Sequence, residues 1–454
     1  MCANQGKNNS KPLKSMEKTK VIKPSRAIAI VVSNMIGTSV YTALGFQAAG
    51  INSIMALLFI WITGGLVALC GALTYGELAA RIPKSGGEYI FLSRIFHPSL
   101  GFMSGFISMT IGFAAPLAIA AIALGSYANN VIPISPMYIT ISIIVILSLI
   151  NLSSFKMGVN FNFIATGINI LLMLILCVAG FIHGHHDSFI FSFKTTDIKQ
   201  VISPAFAVSL VYVSFAYSGW NSATYITHQI KDPVRNLPKI LITGTLIVMF
   251  LYTVLNFVFL YTVPLSDIEG NIDLAFISAS NIFGRTGGRF VASLISIGLI
   301  ASINSLFIFG PRITQAIAND FKPLRRLGTE NKHGSPIYAT LLLTGTSLAL
   351  IISATFDQIF TLLGFTLSLF TIMSVIGVIV LRFRMKKNGE PFYHTLGYPW
   401  VPLFFILIEG CMVVYIFIER PIQSLIGIAI AVIGFLLYLF IKQITIKKIN
   451  YEKI

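Results

Sequence analysis

The feature that most restricts this 454-residue chain is the recurrence, almost end to end, of apolar runs with few or no charges that are long enough to cross hydrocarbon, a crossing that takes about 20 residues. Twelve such runs lie at 25–48, 53–80, 98–130, 136–152, 158–183, 202–230, 237–263, 288–318, 335–355, 357–381, 398–418 and 421–441. A composition of 55% hydrophobic and 11% charged residues excludes a water-soluble globule of this size. The expected class is an all-α integral membrane protein with 12 transmembrane helices.

Two of the runs are interrupted at their centres by small and polar residues, SNMIGTSVYTALGF from Ser33 to Phe46 and VSFAYSGWNSATYIT from Val213 to Thr227. A helix broken at membrane depth frees backbone N–H and C=O groups that lipid cannot satisfy, so each break must face protein, water or a ligand. Gly37 and Ser218 lie 181 residues apart. That spacing suits two related halves, each with its first helix discontinuous, and paired interruptions point to a transporter's midplane site.

Charge is distributed topologically. With the N-terminus inside, 27 of the 32 Lys and Arg residues fall on the tails and inner loops, and only Lys194, Lys199, Arg285, Arg289 and Arg420 fall outside. Both termini are therefore expected in the cytoplasm of a plasma or bacterial inner membrane. The net charge of +16 is scattered over seven short segments, unlike a nucleic-acid footprint, and no nucleic-acid partner is expected. The lysine-rich stretch from Lys7 to Lys23 is expected to be disordered. The polar opening residues lack the apolar core of a cleavable signal peptide, so the first run is expected to direct insertion.

Cys2, Cys70, Cys177 and Cys411 show no paired spacing, which argues against disulfides and zinc. His183, His185 and His186, with Asp187 beside them, read better as an ordinary loop than as a metal site. No cofactor is expected.

The FAYSGWN run from Phe215 to Asn221, its sequel YITHQIKDPVRNLP from Tyr225 to Pro238, GELAARIPKSGGEYIFL from Gly76 to Leu92 and EPFYHTLGYP from Glu390 to Pro399 carry a family resemblance through almost the whole chain. The chain resembles the amino acid-polyamine-organocation permeases, and within them the L-type amino acid transporter branch. The resemblance implies two inverted five-helix repeats, 25–183 and 202–381, then two further helices at 398–441, with tails at 1–24 and 442–454. It implies alternating access, an amino acid and the lipid bilayer as partners, and leaves an accessory subunit open. By the same resemblance Met35, Thr38, Ser39, Phe215, Ser218 and Asn221 line the site.

The chemistry of such a site follows from its ligand, because a zwitterion brings a carboxylate and an ammonium that both lose water on entry. A half-helix starting after Gly37 aims the N–H groups of Thr38 and Ser39 at the carboxylate. Carbonyls near Met35, Phe215, Ala216 and Ser218, with the Asn221 side chain, are placed to accept the ammonium protons. Ala115, Pro116, Tyr217 and Trp220 are candidate walls or gates.

Two departures from the family pattern matter. Ser39 stands where a third glycine is usual, which narrows the approach. Asn169 stands where many relatives carry a lysine bracing the first and eighth spans, and an amide has no charge to supply. Either a neutral brace remains, or sodium binds among the first span's carbonyls and Ser302, Asn304 or Ser305, whose plainer role is interhelical hydrogen bonding.

Glu409 is the one acid deep in an expected span and reads as a peripheral packed acid, with a proton relay or a partner contact as the alternatives. Glu77 and Glu88 are expected to brace inner basic residues such as Arg81 and Lys84, or to gate the inner vestibule. The expected function is secondary transport of neutral amino acids, by exchange or with a proton. Sodium symport, and a sensor or channel on the same fold, are the alternatives. No cluster of nucleophiles, carboxylates or metal ligands suggests an enzyme.

Overall fold

The computed structural model describes residues 22–37, 39–84, 86–153, 158–183, 195–332, 334–384 and 393–451. Among them the chain is helical, with two isolated bridges, Ile22 to Ile230 and Glu330 to Pro336, as its only extended pairing. In chain order the α-helices are α1 (Pro24–Met35), α2 (Ser39–Ala48), α3 (Ile54–Arg81), α4 (Gly87–Ile95), α5 (Pro98–Ile107), α6 (Ala114–Asn129), α7 (Pro136–Ser153) and α8 (Gly158–His183). They continue as α9 (Thr195–Val201), α10 (Pro204–Ala216), α11 (Pro233–Thr262), α12 (Leu265–Ile268), α13 (Leu274–Asp320), α14 (Ile337–Ser353), α15 (Phe356–Arg384), α16 (Trp400–Glu419) and α17 (Pro421–Tyr451).

Helix covers every expected run, and among the described residues nine helices are long and apolar enough to cross a membrane. Gly167–His183, Pro204–Ala216 and Ile337–Ser353 are shorter apolar helices. Proline opens α1, α5, α10 and α11, where its missing N–H leaves no internal bond unmade. The hydroxyls of Ser53 and Ser203 cap α3 and α10 by accepting from the amides of Ala56 and Phe206 at 3.1 and 3.2 Å.

Three features depart from the expected spans. α13 starts at Leu274, well before the expected 288, because a preceding helical segment is continuous with the apolar one across a kink at Gly284, whose φ is +74°. A short helix, α4, follows α3 within the motif from Gly76 to Leu92. Between α5 and α6 one π-helical turn, Ser108–Gly112, interrupts the third run.

One end of the bundle, called the basic end below, holds two arginines on one acid: Glu77 at the close of α3 is held by Arg81 at 2.7 Å and by Arg382 of α15 at 2.6 Å. The Glu77 carboxylate also accepts from the amide and hydroxyl of Thr395 at 2.8 and 2.7 Å. The bracing expected of Glu77 is thus present, and it ties α3, α15 and the segment before α16 together at this basic end.

Candidate functional site

The two expected breaks are present and face one cavity of about 690 Å³. α1 stops at Met35 and α2 starts at Ser39, with Ile36 extended between them at ψ 95°. α10 stops at Ala216, five residues of turn follow, and Ser222–Gln229 forms a 3₁₀-helix with a kink at Ile226. Regular α-helix does not resume beyond the second break until α11.

Met35, Gly37, Ser39, Phe215, Ala216, Ser218 and Asn221 all line this cavity, as do Pro116 and Trp220. Thr38 lies outside the described residues. Ala115 is fully buried off the cavity. Tyr217 is likewise fully buried and serves as packing, its hydroxyl donating to the Trp61 carbonyl at 3.2 Å and its ring lying 5.2 Å from Tyr252. Trp220 stands edge-on to Tyr75 at 4.7 Å.

The two breaks come close at Gly219. Gly219 has φ +95°, and a Cβ built on it would sit 2.7 Å from the Asn34 carbonyl oxygen of α1. A side chain here meets backbone that cannot step aside, in a conformation that L-residues resist.

Two of the groups expected to receive the ammonium already have protein partners. The Met35 carbonyl accepts from the Tyr252 hydroxyl of α11 at 2.5 Å, and the Phe215 carbonyl accepts from the Ser218 amide at 2.8 Å. Asn221 donates through Nδ2 to Glu88 at 2.6 Å. Glu88 also accepts from Tyr75 at 3.1 Å and Tyr225 at 2.5 Å, so α4 is bonded to α3, to the end of the second break's turn and to the 3₁₀-helix that follows it. The expected basic partner for Glu88 is replaced by two phenols and an amide, because it points along the cavity wall and not into the basic end.

The four candidate coupling residues do not converge. Ser302 and Ser305, three apart on α13, share the cavity face. Asn304 points across to α7, where its Oδ1 accepts from Asn151 at 2.9 Å. Asn169 lies between α2 and α13, its backbone carbonyl accepting from Tyr41 at 3.4 Å and its amide packed on Gly298.

The expectation of a peripheral Glu409 is overturned, because this residue of α16 lines the cavity and is 5% exposed. The run of α16 is apolar on every side, so no periodicity told which face is inward. Glu409 Oε1 accepts from the Ser214 hydroxyl of α10 at 3.0 Å.

The cavity extends from the breaks toward the basic end, past Glu88, Ile22, Gln229 and Ile313. On the other side an aromatic stack closes it, with Phe215 edge-on to Phe360 at 4.7 Å and Phe46 stacked on Phe356 at 5.0 Å. The Tyr212 hydroxyl donates to Asp357, which pairs with Arg420 at 3.4 Å. Gly270 of the connection between α12 and α13 donates to the Gly45 carbonyl of α2 at 2.9 Å. Cys70, Cys177 and Cys411 are free, and among the described residues no group of His, Cys, Asp or Glu is arranged for a metal. Of the histidine-rich loop only His183 is described.

The family profile described as "Amino acid permease" matches residues 22–441. The chain belongs to the amino acid permease family. The permease is 28% identical to the serine/threonine exchanger SteT of Bacillus subtilis (strain 168), over 89% of its own length and 93% of that protein's. It is 24% identical to Asc-type amino acid transporter 1 of Mus musculus, over 90% of its length and 78% of the relative's. It is equally 24% identical to large neutral amino acids transporter small subunit 2 of Homo sapiens, over 91% and 78% of the two lengths. The permease is thus a helical membrane protein related to amino acid transporters and exchangers.

Proposed function

We propose that this permease carries neutral amino acids across the membrane by alternating access, as an exchanger or together with a proton. The observation that carries the reading is that two broken helices face one cavity whose described walls hold no Lys, Arg or His. A zwitterion supplies its own ammonium and carboxylate, and backbone groups at the breaks replace side-chain charges for both. The amides opening α2 take the carboxylate, while carbonyls of the second break from Ala216 onward take the ammonium, each such bond being worth roughly 1.5–3 kcal/mol. The Tyr252 bond withdraws the Met35 carbonyl from that set and makes it a brace. A cationic side chain finds no open acid, because Glu88 is fully bonded and the free oxygen of Glu409 is itself buried. The exchanger relative that handles serine and threonine supports a neutral substrate and exchange.

In this reading all twelve runs cross the bilayer, 25–183 and 202–381 are the inverted repeats, and both termini are cytoplasmic. The conformation is then inward-facing, open at the basic end and closed outside by the Phe46, Phe215, Phe356 and Phe360 stack. The test is counterflow in proteoliposomes loaded in turn with each neutral amino acid and with arginine. Trans-stimulation by neutral amino acids is expected. Stimulation by arginine alone would reverse the substrate class, and binding without exchange would make the protein a sensor.

A further inference from the structure

Glu88 and Glu409 are the acids in the cavity wall, and their surroundings differ. Both Glu88 oxygens are engaged by Tyr75, Asn221 and Tyr225. Glu409 accepts from Ser214 at 3.0 Å and has the Ser368 hydroxyl of α15 beside it, while its Oε2 is buried without a hydrogen-bond partner among the described residues. Burying a carboxylate charge without a cation is prohibitive, so an acid in this position takes up a cation or a proton.

Among the described residues no cation is paired with Glu409. Helices α3, α10, α15 and α17 pack against α16. On α10, Tyr212 is spent on Asp357 of α15. On α3, Tyr75 donates to Glu88 while Glu77 is held by Arg81 and by Arg382 of α15. Arg384 of α15 donates to the Ile95 carbonyl, Tyr438 of α17 packs on Phe102, and Lys442 lies beyond it at the basic end. The partly buried Cys70 thiol of α3 carries no positive charge.

Geometry then chooses between a proton and larger cations. Sodium takes several oxygens, typically about six for a hard cation, whereas the Glu409 surroundings offer the Ser214 and Ser368 hydroxyls, with the Met412 sulfur beside Ser214. A substrate ammonium cannot reach an oxygen that is closed to solvent. A proton needs only the one atom.

We infer that Glu409 is the permease's proton-binding site, loaded together with the amino acid and unloaded as the α10–α16 contact opens to water. The inference rests on the carrier function proposed above. One proton moves onto and off a carboxylate oxygen, and no other bond changes. Ser214 lies two residues before Ala216, so the hydrogen bond that reports the state of Glu409 is borne by the helix whose end receives the substrate. With the acid protonated, the dry wall is free of net charge. Loss of the proton leaves a buried anion that favours the opened, hydrated wall.

The test uses full-length permease in sodium-free proteoliposomes and a labelled neutral amino acid that gives counterflow. In wild type, an acid-outside gradient is expected to raise net uptake at least fivefold, with a pH dye inside reporting proton entry. Glu409→Gln, which imitates the protonated acid, is expected to exchange still while its uptake responds less than twofold to the gradient. A Glu409→Gln protein with the full gradient response overturns the proposal, as does wild type that exchanges but admits no proton with its substrate. Should Glu409→Gln not fold, Glu409→Asp takes its place, a gradient response that differs at least twofold from wild type supporting the site and an unchanged response overturning it. Wild type without counterflow of any amino acid would instead remove the carrier reading.

Discussion

The two breaks solve one problem in different ways. The first is short: α1 and α2 are separated by three positions, Ile36, Gly37 and residue 38, and its exposed carbonyl at Met35 is satisfied from outside by Tyr252 of α11. The second is long, closes on itself through Ser218 to Phe215 and Ser222 to Gly219 bonds of 2.8 and 2.9 Å, and turns on the positive φ of Gly219. The first break therefore borrows its partner, while the second carries its conformation in its own sequence. The second is also tied to α4 through Asn221 and Glu88, so movement there is transmitted to α4.

The sharpest way to break this contrast is Gly219→Ala. The added Cβ meets the Asn34 carbonyl at 2.7 Å in a backbone conformation with φ +95°. Strain of about 1–3 kcal/mol is expected, together with loss of uptake to below a tenth of wild type and a lower melting temperature. Wild-type uptake in Gly219→Ala would show that the breaks do not meet there. Next in size is Glu88→Ala, which strips three hydrogen-bond donors of a common acceptor. Each bond to a charged group is worth roughly 1.5–3 kcal/mol, so detergent stability falls and the second break loses its tie to α4. Cysteine crosslinking between α4 and the 3₁₀ segment should then drop; unchanged crosslinking would free the break from Glu88.

The long helices are legible in the sequence because hydrocarbon demands long uncharged runs, and the breaks are legible because Gly37, Ser218 and Gly219 have no reason to interrupt such runs otherwise. What is not legible depends on distant neighbours. Tyr252 is one aromatic in an apolar helix, and its partner Met35 is 217 positions away. Glu409 sits in a helix apolar all round, so the sequence places the acid at the right depth but on neither face. Asn304 and Ser302 differ by two residues, enough on a helix to send one to Asn151 and the other to the cavity. The turn of π-helix at Ser108 leaves no composition signal at all.

A smaller effect tests the borrowed partner of the first break. Tyr252→Phe removes one hydroxyl from the Met35 carbonyl and leaves the ring in contact with Trp61 at 5.8 Å and Tyr217 at 5.2 Å. A typical net hydrogen bond is worth about 0.5–1.5 kcal/mol, so substrate affinity should weaken by roughly two- to tenfold with little change in maximal rate. Tighter binding in Tyr252→Phe would mean that the released carbonyl serves the ammonium better than it serves the tyrosine, and would restore Met35 to the substrate's ligands.

The smallest effect is expected at Gly37, and it separates the two breaks most directly. A Cβ there meets only the Met35 carbonyl oxygen at 4.0 Å, and its φ lies outside the range that resists a side chain. Replacing glycine by alanine where the backbone is permissive narrows the unfolded chain and stabilises by about 0.4–1 kcal/mol. Gly37→Ala should therefore hold or slightly raise the melting temperature, whereas Gly219→Ala lowers it. Any loss of uptake in Gly37→Ala then comes from the methyl in the cavity, and it should grow with substrate size when serine is compared with leucine. An equal loss for both would place the substrate's side chain elsewhere, and a fall in melting temperature would mean that the first break depends on its glycine as much as the second.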